Sequence, residues 1–415
     1  MNDAGTLAVA ALVAAGIVVR PFRLPEAVWA VAAAFLLVAF GWLPIRDALH
    51  AVALGSDVYL FLTGMMLLSE VARRGGVFEW IATHAVNAAR GSTLRLFALI
   101  YGAGVVVTAI MSNDATAVVL TPAVFAAAGK AGVKPLPLLF VCAFVANAAS
   151  FVFPISNPAN LVVYGAAMPA LPIWLERFAL PSLAAIAATY AVLLWTQRAA
   201  LRGACRPQVG GDALDANGRF ALTAIAVTAA VLLIVSGLGL SLGLPAAVLG
   251  AIAVVATSVR GRVSVWPVLE NVPWSILPLV AGLFVLVEAV RRTGAFGWLA
   301  ALVAHAAASS QPLAAAASGA AIALGSNAIN NLPAGLIART IVQMTHAVPR
   351  VTDAMLIGVD LGPNLSIAGS LATILWLAAI RREGQNAGFG SFIRIGIVAM
   401  PSALLLALAA RLLLP

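Results

Sequence analysis

Long apolar runs divided by short polar clusters dominate this chain. Segments 5–19, 25–43, 57–72, 136–168, 177–197, 219–236, 244–259, 273–290, 353–380 and 391–413 are apolar over lengths that cross, or nearly cross, a bilayer. They predict ten spans. Two further pairs of shorter apolar stretches, 94–111 with 117–129 and 311–325 with 332–346, are each interrupted by a polar cluster. Each pair reads as a re-entrant hairpin, because non-helical backbone at membrane depth is tolerated only where protein or a cavity surrounds it. Stretches 76–90 and 295–308 read as interfacial helices.

The pattern occurs twice. FLTGMMLLSEVARRGGVFEWIA, from Phe61, matches LVAGLFVLVEAVRRTGAFGWLA, from Leu279, without a gap. Gly64/Gly282, Glu70/Glu288, Arg73-Arg74/Arg291-Arg292 and Trp80/Trp298 coincide. The expected fold is an all-α membrane protein of two inverted repeats, each of five transmembrane helices with a re-entrant hairpin and a broken helix. The first repeat is 1–197, with hairpin 94–129 and broken helix 136–168. A cytoplasmic linker, 198–218, leads to the second repeat, 219–415, with hairpin 311–346 and broken helix 353–380.

Composition agrees with a membrane setting: 63% of residues are hydrophobic and 9% charged, against roughly 25% charged in soluble domains. The net charge of +9 lies between apolar segments, where it sets orientation and does not indicate nucleic acid. With the N-terminus outside, most of the 24 Lys and Arg residues fall inside, including those of the linker. The run Leu7–Val19 has no basic residue before it and no small-residue cleavage site after it, so it is kept as a span. Two cysteines, Cys142 and Cys205, cannot build a disulfide framework.

Four polar clusters mark the breaks: Ser112-Asn113-Asp114-Ala115-Thr116, Phe153 to Asn160, Gly325 to Pro333, and Asp360 to Ser366 running on to Thr373. Gly and Pro there weaken the helix and free backbone groups, while small hydroxyls and amides supply donors and acceptors. Such residues also bond back to their own helices, but four clusters at duplicated places favour a ligand site.

These residues carry a resemblance. SNDATAVVLTPAV at 112–124, ISNPANLVVYG at 155–165, INNLP at 329–333 and DLGPNLSIAGSLATILW at 360–376 resemble the ArsB arsenite/antimonite efflux permeases of the ion-transporter superfamily. The resemblance covers essentially the whole chain. It implies inverted repeats, elevator-like alternating access, and proton-driven export of trivalent arsenic and antimony as neutral hydroxides.

The candidate substrate ligands are Ser112, Asn113, Thr116, Ser156, Asn157, Asn330, Asn331, Asn364, Ser366 and Ser370. Asn113, Asn157, Asn330 and Asn364 are expected to line one cavity. A thiolate cage is not available from the two cysteines, and a carrier that must release its cargo is better served by hydroxyls and amides. Cys142 reads as a small core residue. Asp114 and Asp360 are the candidate proton carriers, since desolvation favours the neutral carboxyl. Asp114 would correspond to Asn331 in the second hairpin, and it also reads as a cap for the returning arm. Glu70 and Glu288 with their following arginines read as structural ion pairs. Asp57 and Asp353 read as helix N-terminal acids.

The function expected is a secondary efflux carrier in the cell membrane, not an enzyme, with no cofactor and no metal site. GxxxxGK[ST], HExxH and GxSxG are absent. Arsenite or antimonite, protons and the lipid bilayer are the expected partners. A soluble ATPase on the cytoplasmic linker and a homodimer are further candidates. The alternative is a sodium/proton antiporter or an organic-anion carrier of the same superfamily, though none of the four clusters holds a Lys or Arg for a dianion.

Overall fold

The computed structural model describes residues 3–19, 24–211, 213–262 and 264–414, whose regular structure is helical throughout. The first half runs Asp3–Val19, Glu26–Ala39, Ile45–Ala53 bent by 48° into Ser56–Arg74, then Val77–Ala88 and Thr93–Ile110. A returning arm from Asn113 to Ala131 follows, with a π-helical turn at Thr116–Leu120. Then come the broken pair Pro135–Ala148 and Pro158–Tyr164, and Leu171–Gln197.

The same order of elements returns. It comprises Ala216–Gly237, Gly243–Gly261, the short Trp266–Glu270 before Ile276–Arg292, Gly297–Ser309, Gln311–Ile329 and Asn331–Thr345. The broken pair Pro349–Leu361 and Leu371–Arg382, and Phe389–Leu413, complete it.

Among the described residues, six helices are long and apolar enough to cross a membrane alone, or seven if the bent pair counts as one span. Thr93–Ile110 and Gln311–Ile329, expected as hairpin arms, are two of the six. Segment 25–43 is shorter than its apolar run, because the chain leaves the helix at Phe40 and turns at Gly41 with φ +68°. Segments 136–168 and 353–380 are interrupted, as their Pro and Gly content predicts.

Two groups of helices emerge from the packing. In one, Ser56–Arg74 lies along Gly243–Gly261, and Glu26–Ala39 lies along Ile276–Arg292. The exchange is reciprocal: Gly243–Gly261 of the second half covers Ser56–Arg74 of the first, and Glu26–Ala39 of the first half covers Ile276–Arg292 of the second. A Cβ on Gly64 would collide with the Ala246 carbonyl, so the backbones themselves touch there. Asp57, expected to serve its own helix, instead accepts the Gly243 N–H at 2.8 Å and so satisfies the start of the neighbouring helix. Arg292 adds an ion pair to Asp47 at 2.8 Å.

In the second group, Gln311–Ile329 lies along Pro349–Leu361, with Gly319 against Gly358, and Leu171–Gln197 lies along Phe389–Leu413. Phe144 stacks on Phe392 with centroids 4.7 Å apart, and Trp376 donates to the Leu139 carbonyl at 2.8 Å, so aromatic packing joins the two halves. Asp353 is fully buried in this group. Its carboxylate takes Arg411 at 2.7 Å, Arg177 at 3.6 Å and the Tyr164 hydroxyl, so it is the centre of a charge cluster and not merely a helix-start acid. The linker lies against the first hairpin's ends: Cys205 donates its N–H to Gly91 at 3.0 Å, and Arg206 to Ala131 at 2.9 Å.

Candidate functional site

Both hairpins turn on a non-glycine residue with positive φ. Ser112 has φ 144° and Asn330 has φ 75°, a conformation that L-residues adopt only when the surroundings impose it. Each caps the helix that follows: Ser112 Oγ accepts from Ala115 N at 3.4 Å, and Asn330 Oδ1 from Leu332 N at 3.4 Å.

The caps fix the correspondence between the halves. Ser112 matches Asn330, Asn113 matches Asn331, and Asp114 matches Leu332. Asp114 therefore stands one place further on than expected, and capping falls to Ser112 instead. Asn113 and Asn331 are 2% and 3% exposed, and the Oδ1 of each is buried without a hydrogen-bond partner among the described residues. Leaving such an oxygen unsatisfied costs about 1–3 kcal/mol. The same deficit at both tips marks them as places where a ligand or water completes the structure.

The broken helices are aligned by their caps too. Asn157 Oδ1 accepts from Ala159 N at 2.9 Å, and Ser370 Oγ from Thr373 N at 3.1 Å. The capping side chains then reach across to the other half. Asn157 donates to Asp360 Oδ1 at 2.7 Å, and Ser370 donates to Asn147 Oδ1 at 3.2 Å. Asn147 stands as far before Asn157 as Asp360 stands before Ser370, so the two bonds are copies of one another. The copies differ in charge: the acceptor is an amide in one and a carboxylate in the other. Asp360 Oδ2 is buried without a partner among the described residues. Asn147 also donates to Asn364 Oδ1 at 3.0 Å, and Asn364 to the Phe144 carbonyl at 3.2 Å.

Each tip is bonded to the broken helix of its own half. Ser156 donates to the Ala109 carbonyl at 2.9 Å. Ser366 donates to Asn327 Oδ1 at 2.7 Å, Asn327 to the Gly362 carbonyl at 3.0 Å, and Asn330 to the Ala368 carbonyl at 3.5 Å. Thr116 shares a hydrogen bond with Thr108 at 2.8 Å. The polar clusters thus form one bonded assembly. Asn327 and Thr373, within the polar clusters but not among the candidate ligands, belong to it, and so does Asn147, which sequence reasoning passed over. An amide inside the apolar run 136–168 was the available signal for Asn147.

A cavity of about 490 Å³ reaches this assembly at the first tip, where Ser112 and Asp114 line it together with Pro158 and Leu375. Of the ten candidate substrate ligands Ser112 alone lines that cavity, so the expectation that Asn113, Asn157, Asn330 and Asn364 share it does not hold; the amides of the last three are engaged in the bonds above. The Asp114 carboxylate has no hydrogen-bond or ion-pair partner among the described residues, and it is partly exposed to the cavity. Glu70 and Arg73 line the same cavity, and their ion pair is 2.6 Å long. The matching pair Arg291 and Glu288 is at 2.7 Å. Among the described residues no group of His, Cys, Asp and Glu could hold a metal ion. Cys142 is buried in the core, with its thiol on the Leu138 carbonyl at 3.8 Å.

Residues 10–363 match the citrate transporter family, CitMHS. The chain belongs to that family. The chain is 29% identical over 362 residues to an arsenical pump membrane protein of Escherichia coli, and 28% identical over 361 residues to one of Yersinia enterocolitica. Each alignment covers 83% of both chains. The crystal structure of the Alcanivorax borkumensis YdaH transporter has a similar fold, with a TM-score of 0.56 over 88% of this chain and 87% of that one at 16% identity. Family, hydropathy and fold together make the chain a multi-pass membrane transporter.

Proposed function

We propose that the chain is a secondary carrier that exports trivalent arsenic and antimony as their neutral hydroxides in exchange for protons. The observation that carries this reading is the cavity ending on the Ser112 hydroxyl and the Asp114 carboxyl. Hydroxyl and amide groups exchange hydrogen bonds with As(OH)3 or Sb(OH)3 without the tight thiolate ligation that would hinder release. A carboxylate facing the same space, and free of any cation, can carry one proton per cycle.

A citrate-like anion fits this cavity poorly. Asp114, Glu70, Glu79 and Glu383 line it against Arg73 and Arg382, so the lining is net acidic. The arsenical pump relatives favour the metalloid.

Alternating access follows the division into two groups of helices. The two broken helices are tied to each other by the bonds across Asn147, Asn157, Asp360 and Ser370, and each hairpin is tied to its own broken helix at Ser156 and Asn330, so they would move as one body past Ser56–Arg74 and Ile276–Arg292. With the basic residues placed inside, the Asp114 cavity opens to the cytoplasm, where cargo is loaded.

Everted membrane vesicles test the reading. As(III) should accumulate when a pH gradient is imposed without ATP and should leak away when the gradient is collapsed. Accumulation of citrate but not As(III), or dependence on ATP alone, would overturn it.

A further inference from the structure

A second cavity lies at the other end of the short helix whose first residue, Pro158, lines the Asp114 cavity. Its volume is about 480 Å³, and its walls include Tyr164, Arg177, Arg339, Gln343 and Thr352. No Asp or Glu lines it. Asp353, beneath, is fully buried and already engaged by Arg411 at 2.7 Å and by Tyr164.

Both guanidiniums are short of partners. Among the described residues Arg339 makes no hydrogen bond or ion pair, and Arg177 has a 3.6 Å approach to Asp353 and an interaction with the Tyr164 hydroxyl. Arg339 is held in place by packing: a Cβ on Gly165, whose φ is +53°, would sit 2.5 Å from the Arg339 Cζ, so this loop takes glycine to let the guanidinium lie flat against it. Thr352 is 6% exposed, lines the cavity, and has no hydrogen-bond partner for its hydroxyl among the described residues.

Two long helices also begin at this wall. Leu171–Gln197 starts beside Pro169 and Ile173, and Pro349–Leu361 starts at Pro349 and includes Thr352. Neither start carries a side-chain cap, and each brings the positive end of a helix dipole to this wall. Two under-paired guanidiniums, a free hydroxyl and two bare helix starts around a cavity without acid all favour one class of ligand.

We propose that this cavity is a binding site for a small tetrahedral oxyanion, held by Arg339 and Arg177 with Thr352 donating a hydrogen bond. It is separate from the Asp114 cavity and does not depend on which substrate that cavity carries. Phosphoryl oxygens come either from a free oxyanion or from an anionic lipid headgroup, and the two sources can be told apart.

The test is a thermal-unfolding titration of the purified full chain in neutral detergent, with inorganic phosphate, arsenate or sulfate against sodium chloride of equal ionic strength. The expected result is a saturable rise in the unfolding midpoint with the oxyanions. Apparent affinity should fall about tenfold or more in Arg339→Gln. Thr352→Val, nearly isosteric and uncharged, should weaken binding without loss of folding, which keeps the test usable if the arginine variant is unstable.

The same measurement in phosphatidylglycerol and phosphatidylcholine nanodiscs separates the sources. Stabilisation confined to phosphatidylglycerol, and lost in Arg339→Gln, supports the site and assigns it to headgroup phosphate. A rise that both variants retain, or no rise with either the oxyanions or phosphatidylglycerol, would overturn the proposal.

Discussion

Removing the capping side chain at each broken helix compares one bond in two electrostatic settings. Asn157→Ala and Ser370→Ala both delete a helix cap, at 2.9 Å to Ala159 N and 3.1 Å to Thr373 N, and each loss costs about 1 kcal/mol. Those terms cancel in the comparison. What remains is the bond across the halves: 2.7 Å to the Asp360 carboxylate from Asn157, and 3.2 Å to the Asn147 amide from Ser370. A hydrogen bond to a charged group contributes about 1.5–3 kcal/mol, and one between neutral groups about 0.5–1.5 kcal/mol. Where the medium is alkaline enough for Asp360 to be ionised, Asn157→Ala should therefore cost roughly 1 kcal/mol more than Ser370→Ala, or about fivefold in an equilibrium constant. The assay is the order of unfolding midpoints in detergent: wild type highest, then Ser370→Ala, then Asn157→Ala. Repeating the pair in an Asp360→Asn background should remove the gap, because both acceptors are then amides. If Ser370→Ala is the more damaging, or if the gap persists in the Asp360→Asn background, the charge asymmetry does not govern this junction.

Asp114→Asn keeps shape and hydrogen bonding but holds the neutral form, so As(III) should still bind while gradient-driven accumulation in everted vesicles disappears; normal accumulation would move the proton role to Asp360. A Cys142→Ala, Cys205→Ala double variant should keep As(III) resistance, and loss of transport with the protein still in the membrane would demand a thiolate site. Gly358→Val would push its side chain into the Gly319 carbonyl and force two helices apart, for which about 1–3 kcal/mol of destabilisation is expected in a detergent unfolding series. Arg411→Met leaves the buried Asp353 without its 2.7 Å partner and should cost about 3–5 kcal/mol, much of it recovered in the Arg411→Met, Asp353→Asn double variant.

Breaks in apolar runs were legible from sequence because Pro, Gly and Asn interrupt helices by local chemistry. The turn at Ser112-Asn113, the stop before Pro158 and the 3-10 turn at Gly362–Leu365 all fall inside the polar clusters. Span length was less legible: helix Glu26–Ala39 is shorter than its apolar run, since hydropathy does not register the turn at Gly41. Least legible were partners distant in sequence. Asp57 and Asp353 sit in helix-start positions, yet their carboxylates go to Gly243 and to Arg411. Nothing local distinguishes a carboxylate serving its own helix from one serving a neighbour. The pairing of Asp114 with Asn331 failed by one residue although the ungapped register that pairs Gly64 with Gly282 already sets Leu332 opposite Asp114, and the capping bonds at Ser112 and Asn330 agree with it.

The corrected pairing changes how the duplication bears on transport. At the tips both halves keep the buried asparagine, Asn113 and Asn331, and differ at the next position, Asp114 against Leu332. At the broken helices both halves keep the crossing bond and differ in its acceptor, Asp360 against Asn147. The shared positions are neutral amides, whose hydrogen bonds work alike wherever the two halves present them. Each difference places one carboxylate in the assembly, where a symmetric pair would put two like charges in an apolar surround and raise the cost of ionising either. Under the proposed function, the matching amides serve the cargo and the two acids serve the proton, and the second copy of each acid position stays uncharged. The same logic extends to the far end of the helix after Asn157, where Arg177 and Arg339 line a cavity without acid while the Asp114 cavity is net acidic. The two ends of that helix thus present opposite fields, so a charged solute is attracted to one end and repelled from the other, whereas the neutral hydroxide proposed as cargo would be subject to neither.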